Sequence, residues 1–247
     1  MEAMEAMRAR IVIPTFDERE TIGSLIVALR RWLPPDTGLL IVDDGSPDGT
    51  GQLVRDLMRT DAGLALIERT GKQGLGTAYQ TAFRRVLTEG GDDCIVTMDA
   101  DFSHDPAAVP ALIAAAADHD LVVGSRYTTG GAISNWHPGR RLLSVGGNHY
   151  ARLITRTPIR DLTSGFSCMR TDFLARVPFE DVRARGYAWW IALRTLFHRR
   201  GARIAEVPIT FVERRLGRSK MSSKIVYEGL IEPWRISRRR SDGSPRG

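Results

Sequence analysis

From Arg10 onward, short apolar runs rich in Ile, Val and Leu alternate with longer stretches whose apolar residues recur every three or four positions. The first pattern marks buried strands and the second amphipathic helices, and their alternation builds parallel strands joined by crossover helices. Strands are expected at Ile11 to Pro14, Leu39 to Asp43, Ala65 to Glu68, Cys94 to Asp99 and Leu121 to Ser125. The fold class is therefore α/β: an open, mostly parallel sheet flanked by helices. Ligands of such sheets gather beyond the carboxyl ends of the strands. PTFDERE, DDGSPDGT, MDAD and GSRY each sit at the end of an apolar run. That recurrence predicts one shared cleft.

After Tyr127 the regularity fades. TTGGAISNWHPG reads as a loop of about 12 residues, long enough to predict a mobile lid. A helix from about Arg140 to Arg156, a strand-like SGFSCMR, a helix around Trp189 to Arg199 and a strand over ARIAEVPITF complete the domain. Ile225, Val226, Tyr227, Leu230, Ile231 and Trp234 then cluster ahead of the basic Arg235 to Arg240, the pattern of an interfacial helix. The expected organisation is a flexible N-terminus over 1–9, one domain over 10–221, an amphipathic segment over 222–236 and a disordered basic tail over 237–247.

Charge narrows the partner. The 247 residues, 43% hydrophobic, suffice for a large core, and 35 Lys and Arg against 29 Asp and Glu leave a net charge of +6. Such basicity suits nucleic acid, acidic lipid or a phosphorylated substrate. Cys94 and Cys168 fall in no metal-ligand or paired spacing, as expected in a reducing compartment. MEAMEAMRAR lacks the apolar core of a signal peptide, and no stretch approaches the roughly 18 apolar residues of a bilayer span. Any membrane contact is expected to be peripheral.

Three motifs carry chemistry. Asp99 and Asp101, two apart at a strand end, offer hard oxygen ligands for Mg²⁺ or Mn²⁺, although acidic strand ends also serve as turns and helix caps. Asp43 and Asp44 are adjacent acids that repel unless a base, a ribose or a metal compensates them, while Asp48 suits a helix cap. The Gly-rich RTGKQGLGTAY either brings Lys72 and backbone N–H groups to phosphates or lets a helix pack closely through Gly74 and Gly76. It is neither a Walker loop nor a dinucleotide fingerprint.

PTFDERE, DDGSPDGT, GKQGLGTAY, MDADFSH, GSRY, TSGF and RRLGRSKM, in this order between about Ile11 and Lys224, resemble the dolichol-phosphate and polyprenol-phosphate mannose synthases of glycosyltransferase family 2. The resemblance implies a GT-A fold, GDP-mannose as donor, a polyprenyl phosphate acceptor and Mg²⁺ or Mn²⁺. Pro14, Phe16, Glu18, Val42, Asp43 and Asp44 then correspond to nucleotide-holding residues, joined by Lys72. Asp17 stands where Asn is common and Phe16 where Tyr is frequent. Asp99, Ala100 and Asp101 match the nucleotide-sugar and metal motif, with Ser103 at a further ligand position and His104 structural. Arg126, Arg140, Ser144, Arg214 and Lys220 resemble the set around the donor diphosphate and the acceptor phosphate. Arg126, Arg140 and Ser144 fall to the acceptor phosphate, and Asp99, Asp101, Arg126 and Arg214 to catalysis. Asp161 and Ser164 either line the sugar pocket or cap a turn.

The expected reaction is in-line attack by a phosphate oxygen on the anomeric carbon, with inversion and departure of GDP. An acceptor phosphate is anionic near neutrality, so no strong general base is needed. Polyprenyl-phosphate glucosyl transfer from UDP-glucose is the nearest alternative. A non-catalytic nucleotide- or nucleic-acid-binding module is the other, and the lack of aromatic platforms among the basic residues speaks against nucleic acid. The expected location is cytoplasmic, at the cytoplasmic face of an anionic membrane, with room for an integral-membrane partner protein.

Overall fold

The computed structural model describes residues 7–184, 186–213 and 223–238, with only the backbone from 223 to 230. The elements are β1 (Ala9–Thr15), α1 (Arg19–Trp32), β2 (Gly38–Asp43), α2 (Thr50–Leu57), β3 (Leu64–Glu68), α3 (Leu75–Glu89), β4 (Cys94–Thr97), α4 (Val109–Ala115), β5 (Leu121–Ser125) and β6 (Ala132–Ser134). After these come α5 (Pro138–Thr155), β7 (Ser167–Arg170), α6 (Thr171–Leu174), α7 (Tyr187–Arg199), β8 (Ile204–Pro208), β9 (Thr210–Val212) and α8 (Ser223–Arg238). Seven strands form one sheet in the order β3-β2-β1-β4-β7-β5-β8, parallel throughout except for β7, which runs antiparallel to both neighbours.

Both faces of the sheet are covered, which is why its strands read as unbroken apolar runs. Along β1, Val12 packs to one side with Leu40, Tyr79 and Trp189, while Ile11 and Ile13 pack to the other with Ile22, Leu25 and Leu39. α1 buries Ile22, Leu25, Ile26 and Leu29, one stripe at helical spacing. α7 is apolar nearly all round because it is buried nearly all round, Trp189, Trp190, Leu193 and Phe197 included. Gly76 lets α3 approach it: a Cβ there would lie 2.4 Å from Trp189 Cδ1. At Gly76, close packing accounts for the glycine.

Two expectations change. The anticipated lid is partly regular, since β6 pairs in parallel with β9 as a small second sheet. ARIAEVPITF is not one strand but two, broken at Ile209, whose N–H donates to Ser125 and whose carbonyl accepts from Ala132. The chain thereby leaves the large sheet and pairs with 132–134. α8 lies against α5 and α7, buries Ile236, and donates from Trp234 Nε1 to Tyr150 Oη at 2.7 Å. No helix among the described residues is long and apolar enough to cross a membrane.

β1 lies between β2 and β4, so the strand order reverses there. The crevice beyond their carboxyl ends is where an open α/β sheet takes a ligand.

Candidate active site

On the β1–β2 side, the loop after β1 is pinned by the DDGSPDGT turn. Asp17 sits at φ 59°, a left-handed conformation that Asp and Asn tolerate, and its N–H donates to Ser46 Oγ at 3.0 Å. The conformational requirement explains why Asp can stand where Asn is common. Asp48 caps two helices, accepting from the N–H of Thr50 at 2.9 Å and of Arg19 at 3.0 Å. Asp43 accepts from Thr15 Oγ1 at 2.9 Å and from the Ser46 N–H and hydroxyl at 2.9 and 2.6 Å. Asp44 meets Arg69 Nη1 at 2.8 Å without hydrogen-bond alignment and accepts from the Gln73 N–H at 3.3 Å. Burial raises its pKa against the pull of Arg69. Arg69 is thus the base that the adjacent acids required, and sequence reasoning did not single it out.

Phe16 and Glu18 are half-buried at the same edge, and Lys72 holds its ammonium 4.1 Å from the Phe16 ring centroid. The Pro14 side chain is half-buried, whereas the Val42 and Ala100 side chains lie in the core, so Val42 and Ala100 can meet a ligand chiefly through backbone.

β4 ends at Thr97, and the residues after it turn sharply, with Phe102 at φ 58°. A non-glycine aromatic in the left-handed region marks backbone held by its surroundings. The turn is fixed by the Ser103 N–H donating to Asp101 Oδ1 at 3.0 Å and by the Val212 N–H donating to the Ser103 carbonyl at 3.2 Å. His104 Nδ1 accepts the Asp99 N–H at 3.2 Å while its ring stacks on Phe166, and burial lowers its pKa to about 4. The imidazole is therefore neutral, with its proton on Nε2. Gly165 leaves room for the Asp99 carboxylate, because a Cβ there would lie 3.2 Å from Oδ1. Asp99 and Asp101 are half-exposed, and the buried Ser103 Oγ has no hydrogen-bond partner. Two carboxylates and an unsatisfied hydroxyl suit a hard divalent cation. No group of three His, Cys, Asp or Glu that could hold a metal occurs among the described residues, so a cation here would draw further ligands from substrate and water.

On the β5–α5 side, Arg126 is held by Asp161. Nε and Nη2 donate to the two carboxylate oxygens at 2.7 Å each, the backbone N–H of Arg126 donates to Oδ2 at 3.0 Å, and Nη2 also reaches Thr163. The two side chains are 6% and 0% exposed. Burial raises the Asp161 carboxyl, yet the guanidinium outweighs it and holds the pKa below the ordinary range. Asp161 thus anchors Arg126, and only Nη1 lies outside that fork. Arg140 sits 4.1 Å from the Trp136 centroid and pairs with Glu213, and Ser144 accepts from Tyr127 Oη at 2.7 Å. Phe211 connects the halves of the cleft, 5.7 Å from His104 and 5.4 Å from Arg126. Arg214 and Lys220 lie outside the described residues.

One buried cation has no counterpart in the motifs. Arg194 of α7 is 1% exposed, donates from Nη2 to the Ser164 carbonyl and Ser167 Oγ, and has its pKa lowered by burial to about 10. It stays charged near neutrality and supports the loop that carries Asp161 and Gly165. An Arg inside an apolar helix run was its only signal in the sequence.

Residues 10–177 match the family described as Glycosyl transferase family 2. The chain is 40% identical over 225 residues to an undecaprenyl-phosphate mannosyltransferase of Micrococcus luteus, covering 91% of this chain and 92% of that one. It is 40% identical over 227 residues to a polyprenol monophosphomannose synthase of Mycolicibacterium smegmatis, covering 91% and 85%. A dolichol-phosphate mannosyltransferase of Pyrococcus furiosus is 32% identical over 93% of this chain and 64% of its own length. Among solved structures, a mannosyltransferase from Pyrobaculum calidifontis in complex with GDP-Man and Mn²⁺ superposes with a TM-score of 0.63 at 22% identity, covering 98% of this chain and 67% of that one. A glucosyl-3-phosphoglycerate synthase from Mycobacterium tuberculosis, in complex with Mn²⁺, UDP and its product, gives 0.65 at 21% identity, covering 96% and 82%. At these identities the structural likeness establishes the architecture alone, while the sequence relatives establish the family. The chain belongs to glycosyltransferase family 2 and is a hexosyltransferase built on the GT-A fold.

Proposed function

We propose that the chain transfers mannose from GDP-mannose to a polyprenyl monophosphate with inversion, releasing GDP. The observation that carries this reading is the run of contacts that joins Asp99, through His104 and Phe211, to Arg126, Trp136 and Arg140, with Asp101 held on the same turn by the Ser103 N–H. Carboxylates suited to a metal–diphosphate and arginines suited to a phosphate thus lie along one run of contacts, as transfer between two phosphorylated molecules demands. Relatives at 40% identity are named undecaprenyl-phosphate mannosyltransferase and polyprenol monophosphomannose synthase, and these names support mannose as the sugar and a polyprenyl phosphate as the acceptor.

In this reading Asp99, Asp101 and Ser103 hold Mg²⁺ or Mn²⁺. The cation supplies a Lewis acid that neutralises charge developing on the leaving diphosphate. Phe16, Glu18, Asp44 and Lys72 line the nucleotide side. Arg140 and Ser144 orient the acceptor phosphate, Arg126 adds positive potential from Nη1, and Arg214 and Lys220 complete the cationic set. Catalysis rests on alignment and on charge stabilisation, since the nucleophile is already an anion. Calorimetry would test the donor side: GDP should bind in the presence of Mn²⁺, UDP should bind more weakly, and Asp101→Asn should abolish the metal's effect. Equal binding of UDP would redirect the donor assignment.

The lipid must be presented by a bilayer. Leu142, Leu143, Val145 and Leu153 are exposed on α5, Leu142 to 75%, beside Arg141 and Arg152, and α5 also carries Arg140 and Ser144. This face would rest on an anionic leaflet, extending the contact assigned to Ile225–Trp234, most of which lies outside the described side chains. Liposome co-sedimentation unchanged by Leu142→Glu with Leu143→Glu would remove it.

A further inference from the structure

Two arginines share the indole of Trp136. Arg140 lies 4.1 Å from the ring centroid and Arg126 5.6 Å from it, and each guanidinium is matched by one carboxylate. The two carboxylates are not alike. Asp161 grips Arg126 through both oxygens, takes its backbone N–H as well, and is fully buried. Glu213 meets Arg140 only through Oε1 and Nη1, and the side chains remain 31% and 23% exposed. A fork buried this deeply is costly to break, whereas a part-buried pair with one contact exchanges more readily.

Trp136 fixes Arg140 independently of Glu213. Its ring stands edge-on to Phe211 at 5.6 Å and 74°, which seats it against β9, and Arg140 rests on its face. One turn further along α5, Ser144 accepts from Tyr127 Oη, so its own hydrogen can point to a ligand. Glu213 therefore puts a carboxylate on a guanidinium that is already held in place, beside a hydroxyl donor. A carboxylate in that position mimics one edge of a phosphate.

We propose that Glu213 occupies the acceptor-phosphate place on Arg140 in the empty enzyme and is displaced by the incoming phosphate. The inference rests on the assignment of Arg140 and Ser144 to acceptor phosphate. A phosphate monoester carries between about −1.5 and −2 near pH 7, against −1 for Glu213, and offers three oxygens to the same donors. It wins the exchange, while a neutral prenol or a singly charged phosphodiester does not. Glu213 makes Arg140 selective for monoester phosphates, and in the empty enzyme it keeps the end of β9 latched to the start of α5.

The test uses the full chain with GDP and Mn²⁺ present, titrated with a short, water-soluble isoprenyl monophosphate. Glu213→Gln should bind this probe roughly three- to fivefold more tightly than the parent, the scale of one exposed ion pair. Glu213→Asp, whose shorter side chain retracts from Arg140, should shift affinity in the same direction by less, and it serves if the Gln variant fails to fold. In steady-state transfer the gain should appear in the acceptor KM and not in the donor KM. Unchanged or weaker binding by both variants, with the parent binding normally, overturns the exchange while leaving the acceptor assignment intact. If the parent itself does not bind the monophosphate, the acceptor assignment falls and the exchange with it.

Discussion

At the residue scale, the placing of Arg126 depends on Asp161. Its carboxylate is buried against Arg126, and Asn would keep the shape while leaving the guanidinium uncompensated. Breaking such a pair costs about 3–5 kcal/mol. Asp161→Asn should lower the unfolding free energy in urea by that amount at pH 7; a loss below about 1 kcal/mol would show that the pair is not the anchor. The sign with pH follows from the depressed carboxyl. The pair's contribution is present above the ordinary Asp pKa of 3.8 and is lost as pH falls through the lower folded value, so parent and variant should converge in strong acid. Residues of this kind were only half legible. Asp99, Asp101, Arg126 and Arg140 stood out because charged residues at strand ends and in loops have few structural explanations. The carboxylate partners of the arginines, Asp161 and Glu213, come from distant segments, and only the fold reveals which cation each one meets.

At the element scale, the strands of the large sheet were legible as segments, whereas the pairings of its second half and the break at Ile209 were not. β1 to β5 are local and strongly apolar, and their crossover helices bury clean stripes. β7 is short and antiparallel and sits between strands far from it in sequence. β6 pairs with a β9 that follows it by about 80 residues, a non-local contact that periodicity cannot signal. The GKQGLGTAY segment shows how one motif serves two ends: Lys72 stays at the cleft over Phe16, while Gly76 sets the distance between α3 and α7. Trp189 cannot yield, since it is stacked on Tyr79 at 5.6 Å and edge-on to Trp190 at 4.7 Å. Gly76→Ala should therefore cost about 1–3 kcal/mol of stability from overpacking, read as a lower urea midpoint. A neutral or stabilising Ala would mean that α3 and α7 do not approach this closely.

At the scale of the whole molecule, acid stability couples to the site through His104. Its folded pKa of about 4 lies below the ordinary 6.5 because burial disfavours the cation. The unfolded chain thus takes up the proton first, and stability is full above pH 6.5 and falls as pH drops towards 4. For metal-free protein the loss should be about 3 kcal/mol, and His104→Gln should flatten the curve over that window. A parent curve already flat there would place the imidazole in a more solvated setting. In the proposed function, GDP-mannose held by a metal ion meets a lipid phosphate at one site. The most direct measurement is transfer of labelled sugar to polyprenyl phosphate in detergent, from GDP-mannose or UDP-glucose, with Mg²⁺, Mn²⁺ or chelator, for the parent and Asp101→Ala. A β-linked mannosyl lipid should form from GDP-mannose alone, lost with chelator and reduced by at least about a hundredfold in the variant. A glucosyl product, or mannosyl transfer that survives both chelation and Asp101→Ala, would contradict the proposed function.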